Sequence, residues 1–515
     1  MNGAQSLIRT LVDAGVEVCF ANPGTSEMHF VAALDTVPEM RGVLALFEGV
    51  VTGAADGYAR MADRPAATLL HLGPGLANGA ANLHNARRAR TPVVNVIGDH
   101  ALPHKGFDAP LESDIDALTR WTGGWSRTCA DPARVGADAA EAVAAASTGR
   151  IANLVLPADV SWGEGGVAAA PAPLPAPATV ADAVLAPVAE VLRGGESAVL
   201  LLGGAAARER GLRAASRIAA ATGVRLLVET FPARLERGAG LPPVERLGYL
   251  AEQAQWQLTD VKHLVLVGTR APVSFFAYPG KASELTPEGC AVHPLAGHDD
   301  DVVDALERLA DAVAPGVEPV LAEPARPALP TGPLTPQNWV EVIGALLPEG
   351  AIISDEANTS GVLLPGATAG APRHDVLTLT GGSIGQGLPV AVGAAVACPD
   401  RPVIALQADG SAMYTISALW TMAREDLDVT TVILNNRAYA ILRMELGRVG
   451  AESAGPVARS LLDIGAPDLD FVKLAEGMGV PARRAATAEE LAEAFSWALA
   501  EPGPHLIDAI VPPLM

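Results

Sequence analysis

Aromatic side chains are scarce in this chain. They make up 4% of its 515 residues, as 9 Phe, 7 Trp and 5 Tyr. The interior must therefore be built from small aliphatic residues, which raise the hydrophobic share to 50% and exclude global disorder. Cysteine is sparse as well. The four, at positions 19, 129, 290 and 398, form no CxxC pair. That excludes a zinc finger and a disulfide framework and fits a reducing, cytoplasmic setting. Basic charge is in short supply: 36 Lys and Arg against 58 Asp and Glu, a net charge of −22. With no basic block, a nucleic-acid partner is excluded, because the phosphate backbone would repel the chain. Long apolar runs are missing too. The longest, 198–207, contains two glycines and is far too short to span a bilayer, so no membrane role is expected. It reads as a buried strand entering a helix. The opening Met1-Asn2-Gly3-Ala4-Gln5-Ser6 lacks the basic region and apolar run of a signal peptide.

What the chain has in quantity is glycine (52) and proline (41), many in short clusters. The length is a prior for about three domains. Two Pro-rich stretches, 167–181 and 314–337, read as extended linkers, because proline supplies no ladder or helix hydrogen bond. They divide the chain into blocks 1–166, 182–313 and 334–515. Each block alternates short apolar runs with amphipathic helical patterns. The runs at 16–21, 66–71 and 92–98 predict strands in the first block, 197–202 and 263–268 in the second, and 351–354, 403–407 and 429–435 in the third. Near-continuous apolar strands separated by helices predict parallel sheets covered on both faces. The expected fold class is α/β, with three doubly wound parallel-sheet domains.

Two segments echo one another: 49–60 (GVVTGAADGYAR) and 385–397 (GQGLPVAVGAAVA) are both helical patterns studded with Gly and Ala. Such a helix either packs tightly on its sheet or lines a subunit interface or cofactor cleft. The chemistry lies in the third block. Ala408-Asp409-Gly410-Ser411 follows one apolar run, and Asn436 ends the next, 27 residues after Asp409. In a parallel sheet ligands bind at the carboxyl ends of strands, so Asp409 and Asn436 are expected on one edge. Asp-Gly and Asn-Asn are each common turn dipeptides. Paired at two strand ends, they offer a carboxylate, an amide oxygen and a backbone carbonyl, the incomplete oxygen cage that suits Mg²⁺. Gly410 and Ser411 would then open a helix over 412–422, whose first amides suit a diphosphate.

Asp-Gly followed about 27 residues later by Asn-Asn resembles the diphosphate and Mg²⁺ signature of the thiamine-diphosphate enzymes, with Ala408 where that family usually has Gly. The resemblance runs over the whole chain, as pyrimidine-binding, central and diphosphate-binding domains. It is nearest the benzoylformate decarboxylase and acetolactate synthase branch, above all at 410–420 (GSAMYTISALW) and 435–443 (NNRAYAILR). It implies that Asp409 and Asn436 are metal ligands and that Ala438 supplies its carbonyl. Glu48 interrupts the apolar stretch 44–51. By itself it either begins a surface helix or is a buried acid, and burial favours the protonated form. The resemblance implies that it hydrogen-bonds the aminopyrimidine of the cofactor and relays its proton. It likewise implies that Ile384, in Gly381-Gly382-Ser383-Ile384-Gly385, wedges the cofactor bent, while the carbonyl of Gly382 accepts from the 4′-amino group. Without the resemblance, those five residues are a Gly-rich turn.

On the substrate side, the turn Asn22-Pro23-Gly24-Thr25-Ser26-Glu27 resembles that of benzoylformate decarboxylase, with Thr25 as the hydroxyl toward the substrate carboxylate and Ser26 beside it. His71 resembles that enzyme's first active-site histidine; a histidine at a strand end is otherwise a core residue as often as a functional one. The second histidine has no counterpart. The segment 271–280 (APVSFFAYPG) holds Phe275 and Phe276 instead. Losing a proton relay favours carbon–carbon bond formation over aldehyde release. His100 and His104 in the loop 98–111 either restore a relay or are solvated loop residues. Gly203-Gly204 after a strand is too common a turn to mark a flavin site, so FAD is possible but not supported. The implied function is a thiamine-diphosphate- and Mg²⁺-dependent enzyme. It would cleave a 2-oxo acid or diketone and transfer the acyl carbanion to a carbonyl acceptor, as an acetolactate synthase does. Non-oxidative decarboxylation to an aldehyde is the alternative. The resemblance also implies a homodimer or homotetramer with active sites between subunits.

Overall fold

The computed structural model describes residues 1–451 and 455–513. Three sheets organise it. The first contains β1 (Val18–Asn22), β2 (Arg41–Leu44), β3 (Ala66–Leu70), β4 (Val93–Asp99), β5 (Trp125–Thr128) and β6 (Ile151–Pro157), in the order β2-β1-β3-β4-β6-β5 and parallel throughout. Every residue of β3, β4 and β6 is buried, which is why these strands read as near-continuous apolar runs rather than alternating ones.

In the central segment lie β7 (Ala198–Leu202), β8 (Arg225–Val228), β9 (Leu235–Arg237), β10 (Glu245–Arg246), β11 (His263–Val267) and β12 (Ala291–Ala296). Five of them form a parallel sheet, β10-β8-β7-β11-β12. The exception is β9, which leaves the central segment and pairs antiparallel with β14 at the edge of the third sheet. That sheet contains β13 (Ile352–Glu356), β14 (His374–Thr378), β15 (Val403–Ala408), β16 (Val429–Asn435), β17 (Ala482–Ala485) and β18 (His505–Ile510), in the order β17-β18-β16-β15-β13-β14-β9. The three-sheet α/β architecture is the predicted one. A three-residue strand carries too little pattern to announce β9.

The two Gly/Ala helices pack on each other rather than each on its own sheet alone. Helix Glu48–Ala62 lies against helix Gly387–Ala397, every residue of which is buried except the last. A Cβ on Gly57 would fall 2.1 Å from the Val390 carbonyl oxygen, and one on Gly393 1.9 Å from that of Ala54. The glycines are there because two backbones meet. Beside them Arg60 forks onto Asp56 at 2.6 and 2.8 Å and donates to the Thr378 carbonyl at 2.8 Å; Gln386 donates to Asp56 at 3.0 Å. This buried charge is fully partnered, as it must be in a low-dielectric interior. Among the described residues, no helix is long and apolar enough to cross a membrane.

Candidate active site

Strands β15 and β16 run side by side in parallel, with Ala408 opposite Leu434. Asp409 and Asn436 therefore leave the sheet at neighbouring strand ends, as the spacing predicted. Asp409 is buried and accepts from the amides of Gly410 at 2.7 Å and Arg437 at 2.6 Å. The second contact needs the chain to double back, and Arg437 does so in the left-handed region at φ +57°. Asn436 Oδ1 accepts from the Ala438 amide at 2.9 Å. From the end of β13, Asn358, also left-handed at φ +51°, donates to Ser411 Oγ at 2.9 Å. Three strand ends thus converge on one corner. Strained residues of this kind persist where the surroundings fix them, often at functional sites.

The expected helix over 412–422 is a correction. The segment is a single turn, Asp409–Ala412, then a bend, then a separate helix Ala418–Arg424. Thr415 in the bend instead donates its hydroxyl to the Gly385 carbonyl at 3.0 Å. Gly410 itself is required: a Cβ there would lie 2.5 Å from the ring of Tyr439.

Burial pushes the Asp409 carboxyl up to about 6, although amide donors favour its charged form. Among the described residues no ion pair reaches it. A buried acid without a counter-charge, at a strand end next to the one that Asn436 follows, is hard oxygen chemistry that a divalent cation with phosphate and water ligands would suit.

The glycine turn 381–387 faces this corner. Gly382 and Gly385 hold φ of +73° and +94°, which a larger residue would resist. Side chains of the first block grip it: His84 lies 3.0 Å from the Gly381 carbonyl oxygen, Asn85 exchanges two hydrogen bonds with Ser383, and Asn82 donates to the carbonyls of both Gly49 and Gly385. Ile384 is half-buried at its centre.

Glu48 is the buried acid of the two alternatives its sequence context allowed, and the helix it opens is buried rather than at the surface. It begins the helix Glu48–Ala62, and it is buried, accepting from Asn78 at 2.9 Å. His71 directly follows β3, where Leu72 turns through φ +50°. Its Nδ1 lies 2.8 Å from Oε2 of Glu27, which also accepts from the Gly24 amide at 2.7 Å. Burial raises the Glu27 carboxyl, and the facing His71 opposes that rise. Two glycines make room: a Cβ on Gly98 would sit 1.6 Å from Glu27 Oε1, and one on Gly24 2.2 Å from His71 Nδ1. Thr25 and Ser26 occupy the same turn, Thr25 exposed and Ser26 half-buried. His100 follows β4, its ring 5.4 Å from that of His104.

Phe275 and Phe276 differ in what they meet. Phe275 packs against Tyr249 and Phe231, with centroids at 4.9 and 5.5 Å, and its ring lies 3.3 Å from a Cβ placed on Gly382. Phe276 is mostly exposed. Within one chain two groups form. Glu27, Glu48 and His71 lie on the first sheet; Asp409, Asn436, Gly382 and Phe275 lie around the third. The grip of Asn82, Asn85 and His84 on the glycine turn joins them. Glu27 closes the turn 22–27, and its buried contact with His71 left no mark in the sequence. Glu356, at the end of β13, was missed as well, although the strand-end rule that found Asp409 applies there equally.

Two family models match the chain: "Thiamine pyrophosphate enzyme, N-terminal TPP binding domain" over 1–119, and "Thiamine pyrophosphate enzyme, C-terminal TPP binding domain" over 365–509. A Mycobacterium tuberculosis protein named "Putative acetolactate synthase large subunit IlvX" is 66% identical over the full length of both chains. Benzoylformate decarboxylase from Pseudomonas aeruginosa is 32% identical over 96% of each. Among solved structures, the thiamine diphosphate-dependent 4-hydroxybenzoylformate decarboxylase of Rhodococcus jostii superposes with a TM-score of 0.86 at 26% identity, covering 99% of each chain.

Proposed function

The chain belongs to the thiamine-diphosphate enzyme family, in its acetolactate synthase and benzoylformate decarboxylase branch, and we propose that it joins two carbonyl compounds. The donor is a 2-oxo acid or a diketone and the acceptor a second carbonyl. The observation that carries this is the Phe275 ring against Gly382. By its resemblance to benzoylformate decarboxylase, the segment 271–280 is where a second histidine would stand, so an apolar ring would take the place of a proton donor. Without a donor there, quenching by a proton is slow and capture by a carbonyl competes.

Thiamine diphosphate, when bound, supplies the nucleophilic carbon and stores the electron pair left as CO₂ departs. The chain's residues then have these roles. Asp409, Asn436 and the Ala438 carbonyl hold Mg²⁺, and Gly410 and Ser411 face the diphosphate. Glu48 holds the proton at the aminopyrimidine, with Asn78 fixing its carboxyl. The Gly382 carbonyl would accept from the cofactor's amino group, and Ile384 would pack against the cofactor. Thr25 and Ser26 orient the substrate carboxylate, and His71, held by Glu27, faces the reacting carbonyl. Exposed Phe107, Tyr414, Phe276 and Leu461 are apolar surface that a second copy of the chain would cover, which supports a homodimer or homotetramer. A cytoplasmic location accords with four unpaired cysteines.

A second reading, decarboxylation to an aldehyde, draws on the Glu27–His71 pair and on the separate His100–His104 pair after β4, either of which could deliver a proton from the first block. One experiment decides between them. The protein loaded with thiamine diphosphate and Mg²⁺ is incubated with pyruvate, benzoylformate and diketones, and products are separated by mass. Acyloins or acetolactate-type acids as main products support ligation; aldehyde and CO₂ alone overturn it.

A further inference from the structure

Glu356 is the last residue of β13 and is buried. Its Oε1 accepts from the Gly385 amide at 2.7 Å, and its Oε2 from the Gly387 amide at 2.6 Å and Gln407 Nε2 at 2.8 Å. All these donors are neutral. The Gly385 carbonyl, on the far side of the same residue, is held by Asn82 and Thr415. Gly387 has no room to move: a Cβ there would lie 2.2 Å from Gln407 Oε1 and 2.9 Å from Glu356 Cβ. One carboxylate therefore fixes both amides that flank Gln386, directly after Ile384.

We infer that Glu356 is the positioning residue of the glycine turn, and that its ionised form sets the turn which presents Ile384 and the Gly382 carbonyl to the cofactor. This rests on the reading of that turn as cofactor-facing. A carboxylate accepts from all three donors at once; a protonated carboxyl accepts from them more weakly and adds an O–H that none of the three can receive, so the turn is held less firmly. Burial pushes the Glu356 carboxyl up to about 7, so the two forms exchange near neutrality. The groups around it are few. Gln407 comes from β15, with Asp409 beyond that strand's end. Helix Gly387–Ala397 brings no titratable side chain. Gln386 leads to Asp56, which Arg60 neutralises. On β13 itself, Asp355 faces Arg246 at 3.5 Å.

The test uses the full-length apo chain, Glu356→Gln, and Gln407→Met, which keeps the carboxylate but removes one donor. Hydrogen exchange of the peptide covering 381–389 is followed from pH 5.5 to 8.5, relative to a reference segment of the chain. Thiamine diphosphate affinity with Mg²⁺ is measured by calorimetry at pH 8. In the wild type, relative exchange in the turn rises as pH falls through neutrality. In Glu356→Gln it is fast at every pH, and affinity drops by at least about tenfold, the loss of a charge-assisted hydrogen bond. In Gln407→Met the midpoint moves upward, because a donor to the charged form is gone. Wild-type exchange in Glu356→Gln, or an unmoved midpoint in Gln407→Met, overturns the inference. Asp409→Ala separates it from the cofactor reading. Wild-type affinity in that variant would mean the site is misassigned; loss there with retention in Glu356→Gln would mean only Glu356 is.

Discussion

Glu27 Oε2 lies 2.8 Å from His71 Nδ1, and the carboxyl is more deeply buried than the imidazole it holds. The acid is thus the fixed partner, and the more exposed histidine is the one that would meet the substrate in the proposed function. A carboxylate on one ring nitrogen fixes the tautomer and aims the other nitrogen outward. Glu27→Gln should leave cofactor affinity unchanged and lower kcat, by less than the roughly 10²- to 10⁴-fold expected of His71→Ala. Steady-state rates of 2-oxo acid consumption check this. Equal losses in both variants would mean that Glu27 does more than orient.

Asp409 gives a signed pH dependence. Its folded value, about 6, lies above the ordinary aspartate value of 3.8. The folded apo chain therefore favours the protonated acid, and this contribution to stability is present below about pH 4 and lost as pH rises through about 6. Metal binding needs the carboxylate and runs the opposite way. Mg²⁺-dependent thiamine diphosphate affinity should weaken as pH falls below about 6, while apo stability does not. Asp409→Ala should abolish the metal-dependent part of binding. Calorimetry with and without Mg²⁺ reads both.

Glu48→Gln keeps the hydrogen-bonding shape beside Asn78 but cannot exchange a carboxyl proton. Cofactor affinity should stay within about threefold while activity falls at least about 100-fold. Exchange of the cofactor's C2 proton for deuterium, followed by NMR in the bound state, should slow in parallel. Undiminished exchange would remove Glu48 from its role.

Close backbone approach makes Gly393 a stability determinant. Its added Cβ would meet the Ala54 carbonyl oxygen at 1.9 Å, and backbone cannot step aside as a side chain can. Gly393→Ala should cost about 1–3 kcal/mol, with Gly57→Ala comparable. Thermal unfolding at fixed protein concentration should place both midpoints below that of Gly366→Ala, where nothing lies within 4 Å of the new methyl.

The strand ends were legible because parallel β15 and β16 are buried on both sides, so their apolar runs stop where the chain meets the site. Asp409 and Asn436 stand out against such runs. Glu356 is equally a strand-end acid, but it points inward at backbone amides, and a partner made of peptide groups leaves no mark in the sequence. The Gly/Ala pattern of 49–60 and 385–397 was visible, yet its meaning was not: small residues announce a close approach without saying to what. The break at Met413–Ser417 was invisible because the segment holds no Gly or Pro to mark it, and the Thr415 contact with Gly385 that bends it is tertiary.

The same limit applies to the pair of phenylalanines, where sequence alone could not say which ring replaces the missing histidine. Only Phe275 reaches the glycine turn; Phe276 points largely to solvent. The informative substitution is therefore Phe275→His. An imidazole there would stand near Gly382 and would supply the proton that a phenyl ring cannot. Aldehyde should then rise relative to ligated product by roughly tenfold or more, the lower range of a positioned general acid. Because the new group must be protonated to act, the shift should be larger at pH 6 than at pH 8. Phe276→His, more exposed and away from the turn, should change the ratio little. Product ratios from both variants, with pyruvate alone and with pyruvate plus an added aldehyde, measure this. An unchanged ratio in Phe275→His at both pH values would mean that the ring does not govern the fate of the acyl group.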